Sequence, residues 1–332
     1  MLKKVLLVRL DKIGDLICTL PADQILDSKT YDTTWVIQKG LGQIVQGGEK
    51  PRKYIEIDKD NPKKARLDFA RYLEKNHFDY AISFQCPWWV NYEIFKAKIK
   101  NRIGVLSQWH SFLFLNKGLR QKRSQALQHE FNYNLDLVKK ITGPINIDSS
   151  NILFKLKKPQ SSQTLEKYNL PTQYTVVHPG MMGSALNWPQ AKYIEYIQNE
   201  ISNGHAIAIT GTPADEPYLT HIKAAFENHP HVHWLQSKLN FSELVEVLNY
   251  AQKVVVPSTG VAHIAASLDK EVHGIYSPIQ VHHPKRWAPR GENIHIHMPS
   301  VKCPAQFKCL GGKCSYYNCM NSIEIKSFPN SI

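Results

Sequence analysis

Long apolar runs are missing from this chain of 332 residues. No stretch approaches the ~20 apolar residues that a transmembrane helix requires. The chain enters a strand-like run at Val5–Val8 without the long apolar core and small-residue cleavage site of a signal peptide. We therefore expect a cytoplasmic protein. Its composition, 42% hydrophobic and 21% charged, is typical of a globular one.

The paired Cys-x-x-Cys spacing of a structural zinc site is also missing. Cys303, Cys309, Cys314 and Cys319 lie close to the C-terminus, and five, four and four residues separate them. Reduced thiols are the ordinary state of cysteine in a cytoplasmic protein. We predict a compact tail with free thiols and no metal site.

Acidic residues are scarce in the first half of the chain. Residues 1–158 contain 28 Lys or Arg and 16 Asp or Glu, whereas residues 159–332 contain 13 and 12. This excess indicates either a solvated basic face or an anionic partner, such as nucleic acid, an acidic membrane surface or a phosphorylated glycan. No known nucleic-acid-binding module is present, so we expect no nucleic-acid partner.

Strand-like and helix-like segments alternate along both halves of the chain. This pattern predicts parallel sheets with helical crossovers, an α/β fold class. A polar segment at 157–162 reads as a linker, so we predict two Rossmann-like domains, 1–158 and 159–332, that face a central cleft. In the first domain we expect a helix from about Leu16 into the late twenties. Ligands of such sheets bind beyond the carboxyl ends of the strands.

The segment 254–266 is the most informative part of the second half. Val254–Val256 predict a buried strand that Pro257 ends, and Ser258, Thr259 and Gly260 predict a tight turn before a helix from about Val261. Free backbone N–H groups and the positive end of the helix dipole make such a turn an anion site. His263 could add a donor or a positive charge. The alternative is a connection without a ligand.

Two further loops follow predicted strands in this half. Gly180 and Ser184 supply small residues in the loop 178–184, and Thr210 and Gly211 open the loop 210–216. These loops could add N–H donors for a phosphate. Glu216 could bind ribose hydroxyl groups, or it could cap the next helix.

Carboxylates follow the first strand of the first half. Asp15 lies beside Gly14 at the predicted start of a helix, and Asp11 precedes it in the same loop. The Asp15 carboxylate could serve as a general base or as a helix N-cap. A basic aromatic loop, 282–287, contains Arg286 and follows what we predict to be the last strand of the second sheet.

These loops carry a family resemblance that spans nearly the whole chain. The chain resembles the bacterial heptosyltransferases of glycosyltransferase family 9, which build the inner core of lipopolysaccharide. The motifs that carry the resemblance are Val8–Asp15 with Thr19–Pro21, His129–Glu130, His178–Gly180 through Asn187–Pro189, Thr210–Glu216, Ser258–Ala266, Pro284–Trp287 and the tail ending in Cys319–Met320.

The resemblance implies a GT-B fold and an inverting, metal-independent transfer of heptose from ADP-heptose to a lipopolysaccharide core acceptor. It implies that Asp15 is the catalytic base, that Glu216 lies near the ribose, and that the turn 258–260 stabilises the leaving diphosphate. No cofactor is implied. The second domain would bind the donor. The basic first domain would face the phosphorylated, membrane-embedded acceptor, with peripheral contact to the cytoplasmic face of the inner membrane.

Two positions depart from the family pattern. Leu186 stands where family members carry a phosphate-binding lysine, and Ser258 stands where they often carry Asp. Arg9, Lys12 or Arg286 could supply the missing charge to phosphate or to the acceptor. The departures leave two alternatives open: a member that uses another nucleotide sugar or acceptor, and a degenerate member that binds glycan or nucleotide without turnover.

Overall fold

The computed structural model describes residues 1–146, 148–181, 183 and 185–328. The chain divides into two compact units. The first unit comprises Met1–Arg123 and Gln128–Leu156, and the second comprises Ser124–Leu127 and Lys157–Ile332.

The first unit is built on a six-stranded parallel sheet with the strand order β3-β2-β1-β4-β5-β6. Its strands are β1 (Lys3–Arg9), β2 (Tyr31–Gln38), β3 (Lys53–Ile57), β4 (Tyr80–Gln85), β5 (Asn101–Val105) and β6 (Lys117–Leu119). The central strand β1 is apolar on both faces because helices cover both sides of a parallel sheet. Val5, Leu6, Leu7 and Val8 are fully buried.

In the described part of the first unit, the α-helices that accompany this sheet are α1 (Ile13–Ile17), α2 (Gly42–Gly47), α3 (Pro62–Lys75), α4 (Trp88–Lys96), α5 (Trp109–Phe114) and α6 (Glu130–Thr142). The core on one side joins Leu6 and Val8 of the sheet to Phe69 of α3 and to Val90 and Ile94 of α4. Asn61 begins α3, where its side chain accepts a hydrogen bond from the Lys64 N–H, and Pro62 fits the first helical position.

The second unit repeats the plan with the strand order β12-β11-β10-β7-β8-β9, all parallel. Its strands are β7 (Tyr174–Val177), β8 (Ala206–Ile209), β9 (Val232–Trp234), β10 (Lys253–Pro257), β11 (Glu271–Ile275) and β12 (Ile294–His297). Its helices are α7 (Gln163–Lys167), α8 (Gln190–Ser202), α9 (Glu216–Phe226), α10 (Phe241–Tyr250), α11 (Gly260–Ser267) and α12 (Pro284–Trp287). The C-terminal tail joins the core of this unit through Met320, Ile323 and Phe328.

Two local predictions were wrong. The expected long helix from Leu16 is instead the short α1 followed by a 3-10 segment, Leu20–Ile25, because Pro21 lacks the N–H that would continue an α-helix. The loop 282–287 does not follow the last strand, since β12 comes after it. The prediction for segment 254–266 was confirmed, because β10 ends at Pro257 and α11 begins at Gly260, one residue before the expected start.

No helix among the residues that the structure describes is both long enough and apolar enough to span a membrane.

Candidate active site

Three carboxylates surround the buried side chain of Arg9 at the end of β1. Its Nη2 atom donates to Asp15 Oδ1 at 2.6 Å, its Nη1 atom donates to Glu130 Oε1 at 3.4 Å, and its Nε atom lies 2.9 Å from Asp11 Oδ2. The guanidinium is fully enclosed. Burial opposes its charge, but the three carboxylates outweigh burial and raise the pKa of Arg9.

A closed ring of hydrogen bonds extends from this guanidinium through α6. Arg123 donates from Nη1 to the same Glu130 oxygen and from Nη2 to Asn134 Oδ1 at 3.1 Å. Asn134 Nδ2 donates to Thr19 Oγ1 at 3.0 Å, and Thr19 Oγ1 donates to the Asp15 carbonyl at 2.6 Å. Both the carboxylate and the backbone of Asp15 are therefore fixed by buried groups. Satisfied buried polar networks of this kind specify a single geometry.

The carboxylate of Asp15 is 24% exposed, so it is held by the network and still reaches solvent. Lys12 is the N-cap residue of α1 and makes no side-chain cap hydrogen bond, so Asp15 in the first turn is not the helix cap. The Lys12 residue itself is exposed. Anchored at one oxygen and open at the other side, Asp15 can accept a proton from a bound hydroxyl.

Asp11 differs from Asp15 in its surroundings. Burial raises the pKa of Asp11, the Arg9 charge lowers it, and the Asp15 charge raises it further. Lys59 holds the same loop by donating from Nζ to the Leu10 carbonyl at 2.7 Å. Behind the loop, burial raises the pKa of the Cys86 thiol to about 12, and Cys86 Sγ donates to the Val8 carbonyl. The thiol is therefore neutral at physiological pH.

The predicted donor-binding residues of the second unit follow three adjacent strands, and Arg286, a predicted phosphate or acceptor contact, follows a fourth. The loops after β8, β7, β10 and β11 leave the same edge of the sheet, because the strands are parallel and neighbours in that order. The structure thus brings four separate sequence motifs to one sheet edge. Ser184 of these predictions lies outside the described residues.

The turn 258–260 leads directly into α11, whose N-cap is Thr259 in an extended conformation. Ser258 N–H donates to the Ile275 carbonyl at 3.2 Å, which fixes the turn beside β11. The buried Oγ1 atom of Thr259 has no hydrogen-bond partner within the described part of the chain. His263 lies one turn further into the helix and is buried.

A buried pair and a carboxylate join the loops after β7 and β8. His178 Nδ1 lies 2.9 Å from Thr210 Oγ1, and both residues are buried. Burial lowers the pKa of His178 to about 4, although the charge of Asp215 raises it. Asp215 Oδ2 accepts from the Thr212 N–H at 2.8 Å and from Thr212 Oγ1 at 2.7 Å.

Gly180 is in close contact with that carboxylate. An added Cβ at Gly180 would lie 2.1 Å from Asp215 Cγ, so only glycine fits at this position. The contact places the backbone of one loop directly against the other. Gly211 is fixed in turn, because its carbonyl accepts from the Ser237 N–H at 2.8 Å.

Glu216 begins α9, but it does not cap that helix. The N-cap residue is Asp215, and Glu216 Oε2 accepts from Gln236 Nε2 at 2.6 Å. Gln236 is buried whereas Glu216 is exposed. The carboxylate is thus oriented on one side and accessible on the other, which suits a partner with hydroxyl groups.

Leu186 stands at the position of the family's phosphate-binding lysine, and Arg286 is one of the residues that could replace its charge. The two residues have different environments. Leu186 is partly buried and packs against the apolar core of the second unit. Arg286 in α12 is 9% exposed, and its guanidinium lies 4.5 Å from the centre of the Trp287 ring. Asn187, next to Leu186, fixes the loop after β7 by donating from Nδ2 to the Pro179 carbonyl at 2.6 Å.

Sequence reasoning missed the structural partners of the candidate base. Glu130 and Arg123 lie more than a hundred positions from Arg9 in the chain, so no local pattern connects them. Only the motif His129–Glu130 drew attention to the helix start. Asp215 was noted as part of a motif, but its contact with Gly180 had no signal in the sequence.

The cysteines of the tail are free thiols in the structure. A different group, Glu271, His273 and His295, brings three possible metal ligand atoms within 4.8 Å of one another among the described residues. Its members already bond within the protein, since His273 Nε2 lies 2.7 Å from Glu271 Oε1. Glu271 begins β11, so this group lies away from the loops at the carboxyl edge.

Comparison with known proteins identifies the family. The model of "Glycosyltransferase family 9 (heptosyltransferase)" matches residues 66–313. The chain is 23% identical over 303 residues to a Haemophilus influenzae protein that carries a provisional glycosyltransferase name, with 87% of this chain and 86% of that one covered. It is also 23% identical over 301 residues to lipopolysaccharide heptosyltransferase 1 of Escherichia coli, with 83% and 88% covered.

Solved structures agree with this assignment. The structure of the E. coli ADP-heptose lipopolysaccharide heptosyltransferase II aligns with a TM-score of 0.77 at 16% identity, covering 98% of this chain and 96% of that one. The E. coli heptosyltransferase WaaC with ADP aligns with a TM-score of 0.66 at 23% identity, covering 89% and 93%. These likenesses confirm the α/β fold class of the GT-B type. The chain belongs to glycosyltransferase family 9, the heptosyltransferase family, and is a glycosyltransferase.

Proposed function

We propose that this glycosyltransferase moves heptose from ADP-heptose to a lipopolysaccharide core acceptor, with inversion at the anomeric carbon. The support is its family, a relative named as a lipopolysaccharide heptosyltransferase, and the likeness to a heptosyltransferase whose structure was solved with ADP. The observation that carries the proposal is the Asp15 carboxylate, partly exposed and anchored on a buried arginine.

In the proposed reaction, Asp15 accepts the proton of an acceptor hydroxyl. The freed oxygen attacks the anomeric carbon, the bond from that carbon to the diphosphate breaks, and ADP leaves with the bonding electrons. Arg9 does not touch the substrates in this scheme. As a positioning residue, it fixes the direction of the carboxylate that acts as the base.

The donor would bind at the carboxyl edge of the second sheet. Backbone N–H groups of Thr259 and Gly260 at the start of α11, with the Ser258 side chain beside them, would meet the negative charge that develops on the leaving diphosphate. Gly180, Ser184, Thr210, Gly211 and His263 would complete this site. We propose that Glu216 binds the ribose hydroxyls, that no metal takes part, and that Arg286 or Lys12 supplies charge to phosphate.

The acceptor would meet the first unit. The excess of positive charge in residues 1–158 suits a phosphorylated glycan. We propose that the enzyme acts in the cytoplasm, at the inner face of the inner membrane, where such an acceptor is anchored.

Calorimetric titration with ADP, UDP, GDP, CDP and ADP-heptose tests the donor. We expect selective binding of ADP that the heptose group tightens, with and without EDTA. Binding of another nucleotide in preference to ADP would contradict the ADP-heptose assignment and favour a different nucleotide sugar. No binding of any nucleotide would favour a degenerate member, with Leu186 as the explanation. Transfer to isolated lipopolysaccharide core then tests the acceptor.

A further inference from the structure

Two neighbouring helices of the first unit expose large apolar side chains to solvent. These side chains, here named the aromatic face, are 45–66% exposed and comprise Trp88, Phe95, Trp109, Phe112 and Leu113. On α4 they fall seven positions apart, and on α5 they fall at the spacing i, i+3, i+4, so each set lies on one side of its helix. Scattered exposed apolar residues are ordinary, but a cluster marks an interaction site.

Ring contacts connect the two helices below this surface. Trp88 contacts Tyr92 with ring centres 6.2 Å apart, and Tyr92 contacts Phe114 at 5.5 Å. Phe114 in turn contacts Phe95 at 5.5 Å. The other side of α4 is buried in the core through Trp89, Val90 and Ile94. The helix is therefore apolar on its exposed side as well as on its core side, which is unusual for a helix at the surface of a globular unit.

The chain segment that carries the aromatic face has charge of almost one sign. Residues 88–123 contain eight Lys or Arg and one Asp or Glu. That acidic residue, Glu93, is buried and paired with Arg66. Two cations stand close to the rings: the guanidinium of the exposed Arg120 lies 5.5 Å from the Phe112 ring centre, and that of the partly buried Arg102 lies 5.3 Å from the Phe95 ring centre.

The topology places the starts of both helices, with Trp88 and Trp109, at the same sheet edge as Asp15. The helices α4 and α5 begin just after β4 and β5, and the loop with Asp15 follows β1. These strands are parallel and adjacent in the order β1-β4-β5, so all three loops leave one edge. The Cys86 thiol before α4 contacts the carbonyl of Val8 at the end of β1.

From these observations we infer that the aromatic face is a docking surface for a bilayer that contains anionic lipid. Exposed Trp and Phe side chains favour the boundary between headgroups and acyl chains, and surrounding Lys and Arg favour a negatively charged leaflet. The absence of exposed carboxylates in segment 88–123 fits a uniformly negative partner. The inference deepens the proposed function, since docking would bring Asp15 to a lipid-anchored acceptor.

Vesicle sedimentation tests the docking without donor or acceptor, so its outcome does not depend on the proposed transfer reaction. The probes are vesicles of phosphatidylcholine alone and of phosphatidylcholine with 30% phosphatidylglycerol. We expect at least about tenfold tighter binding to the anionic vesicles, weakened by salt. Equal binding to both vesicles, or to neither, would overturn the inference.

Two sets of variants locate the contact. Trp109→Ser/Phe112→Ser/Leu113→Ser should lower vesicle affinity at least about tenfold, since these side chains would be the inserted groups. The matched control changes three exposed apolar residues of the tail, Phe307→Ser/Leu310→Ser/Tyr316→Ser, and should leave affinity unchanged. Because all six side chains are exposed, melting temperatures should stay close to that of the wild type.

A second pair of variants tests the charges of the surface. Both the test variant and its control change residues of the first unit. Arg120→Gln/Lys122→Gln should lower affinity about 25-fold, from about fivefold for each charge, since both exposed residues follow β6 at the carboxyl edge of the sheet. The control, Lys3→Gln/Lys29→Gln, removes two exposed lysines at the opposite edge, where Lys3 begins β1 and Lys29 precedes β2. Equal loss in both charge sets would overturn the assigned surface. So would a wild-type dimer that the aromatic variant converts to a monomer without loss of vesicle binding.

Discussion

Nη2 of Arg9 lies 2.6 Å from Oδ1 of Asp15. The same guanidinium also contacts Glu130, and it has no contact with solvent. The partly exposed carboxylate is therefore anchored from the interior of the protein rather than from its surface. This arrangement leaves the opposite side of Asp15 open, as a base that serves an incoming hydroxyl requires.

Replacing the shared carboxylate behind Arg9 should destabilise the first unit. Glu130→Gln keeps the shape but leaves Arg9 and Arg123 with one negative partner fewer in a buried site. We expect the free energy of unfolding to fall by about 3 kcal/mol, as for other broken buried ion pairs. Urea denaturation measures this change. The exposed control Glu74→Gln should change it by less than about 0.5 kcal/mol. Equal stability of the two variants would show that Glu130 does not hold the network together.

Gly180 should not tolerate a methyl group. In Gly180→Ala the new Cβ would lie within 2.5 Å of both Asp215 oxygens, and Thr212 holds one of those oxygens in place. We expect a loss of about 2 kcal/mol in unfolding free energy from overpacking and at least about tenfold weaker nucleotide binding. Thermal melting and calorimetry measure the two effects. Gly312→Ala is the control, because an added Cβ there has no atom within 4 Å. Wild-type behaviour of Gly180→Ala would contradict the close contact of the two loops.

The second unit should lose stability in acid through His297. This side chain stacks on Phe328 with ring centres 3.8 Å apart, and its Nε2 atom lies 3.0 Å from Nδ1 of His273. Burial first, then the nearby His273 and His295, lowers the pKa of His297 to about 3. In the unfolded chain this histidine has its ordinary pKa of about 6.5. Between about pH 6.5 and 3 the unfolded chain therefore binds a proton at His297 that the folded chain does not bind. Stability therefore falls as the pH drops from about 6.5 toward 3.

The variant His297→Phe removes this proton difference and keeps an aromatic ring against Phe328. We expect the loss of stability in acid to be shallower by up to about 1.4 kcal/mol per pH unit. Hydrogen exchange of the amides in β11 and β12 between pH 6.5 and 4.5 measures it. His221→Gln, at an exposed position on α9, is the control and should keep the wild-type slope. An identical slope in His297→Phe would exclude His297 as the source.

The sequence predicted the parts of the fold that depend on local pattern. Buried β-branched runs such as Val254–Val256 identified central strands, and the small-residue loops after them were confirmed at one sheet edge. Short elements failed because their pattern is weak. In β12, Ile294–His297 alternates isoleucine with histidine over only four residues, so its strand character was missed. The end of α1 was also misjudged, although Pro21 carried the signal.

The candidate site was predictable only one residue at a time. Asp15 and Glu216 were each predicted as a site residue, with a helix cap as the alternative role. The structure assigns the capping positions to Lys12 and Asp215 instead. The partners that fix Asp15 come from distant parts of the chain, Arg123 and Glu130, and tertiary packing alone brings them together. The catalytic and donor-binding roles themselves stay predictions.

Transfer of heptose by Asp15→Asn tests the central claim most directly. The amide keeps an oxygen for Arg9 but cannot accept the proton, so kcat should fall by about a thousandfold while ADP affinity stays within about twofold. Asp11→Asn changes a neighbouring carboxylate on the same arginine and should retain at least about a tenth of the wild-type kcat. Release of ADP from ADP-heptose in the presence of lipopolysaccharide core measures kcat for the wild type and for both variants. If Asp15→Asn kept more than about a tenth of the wild-type rate, Asp15 would not be the catalytic base.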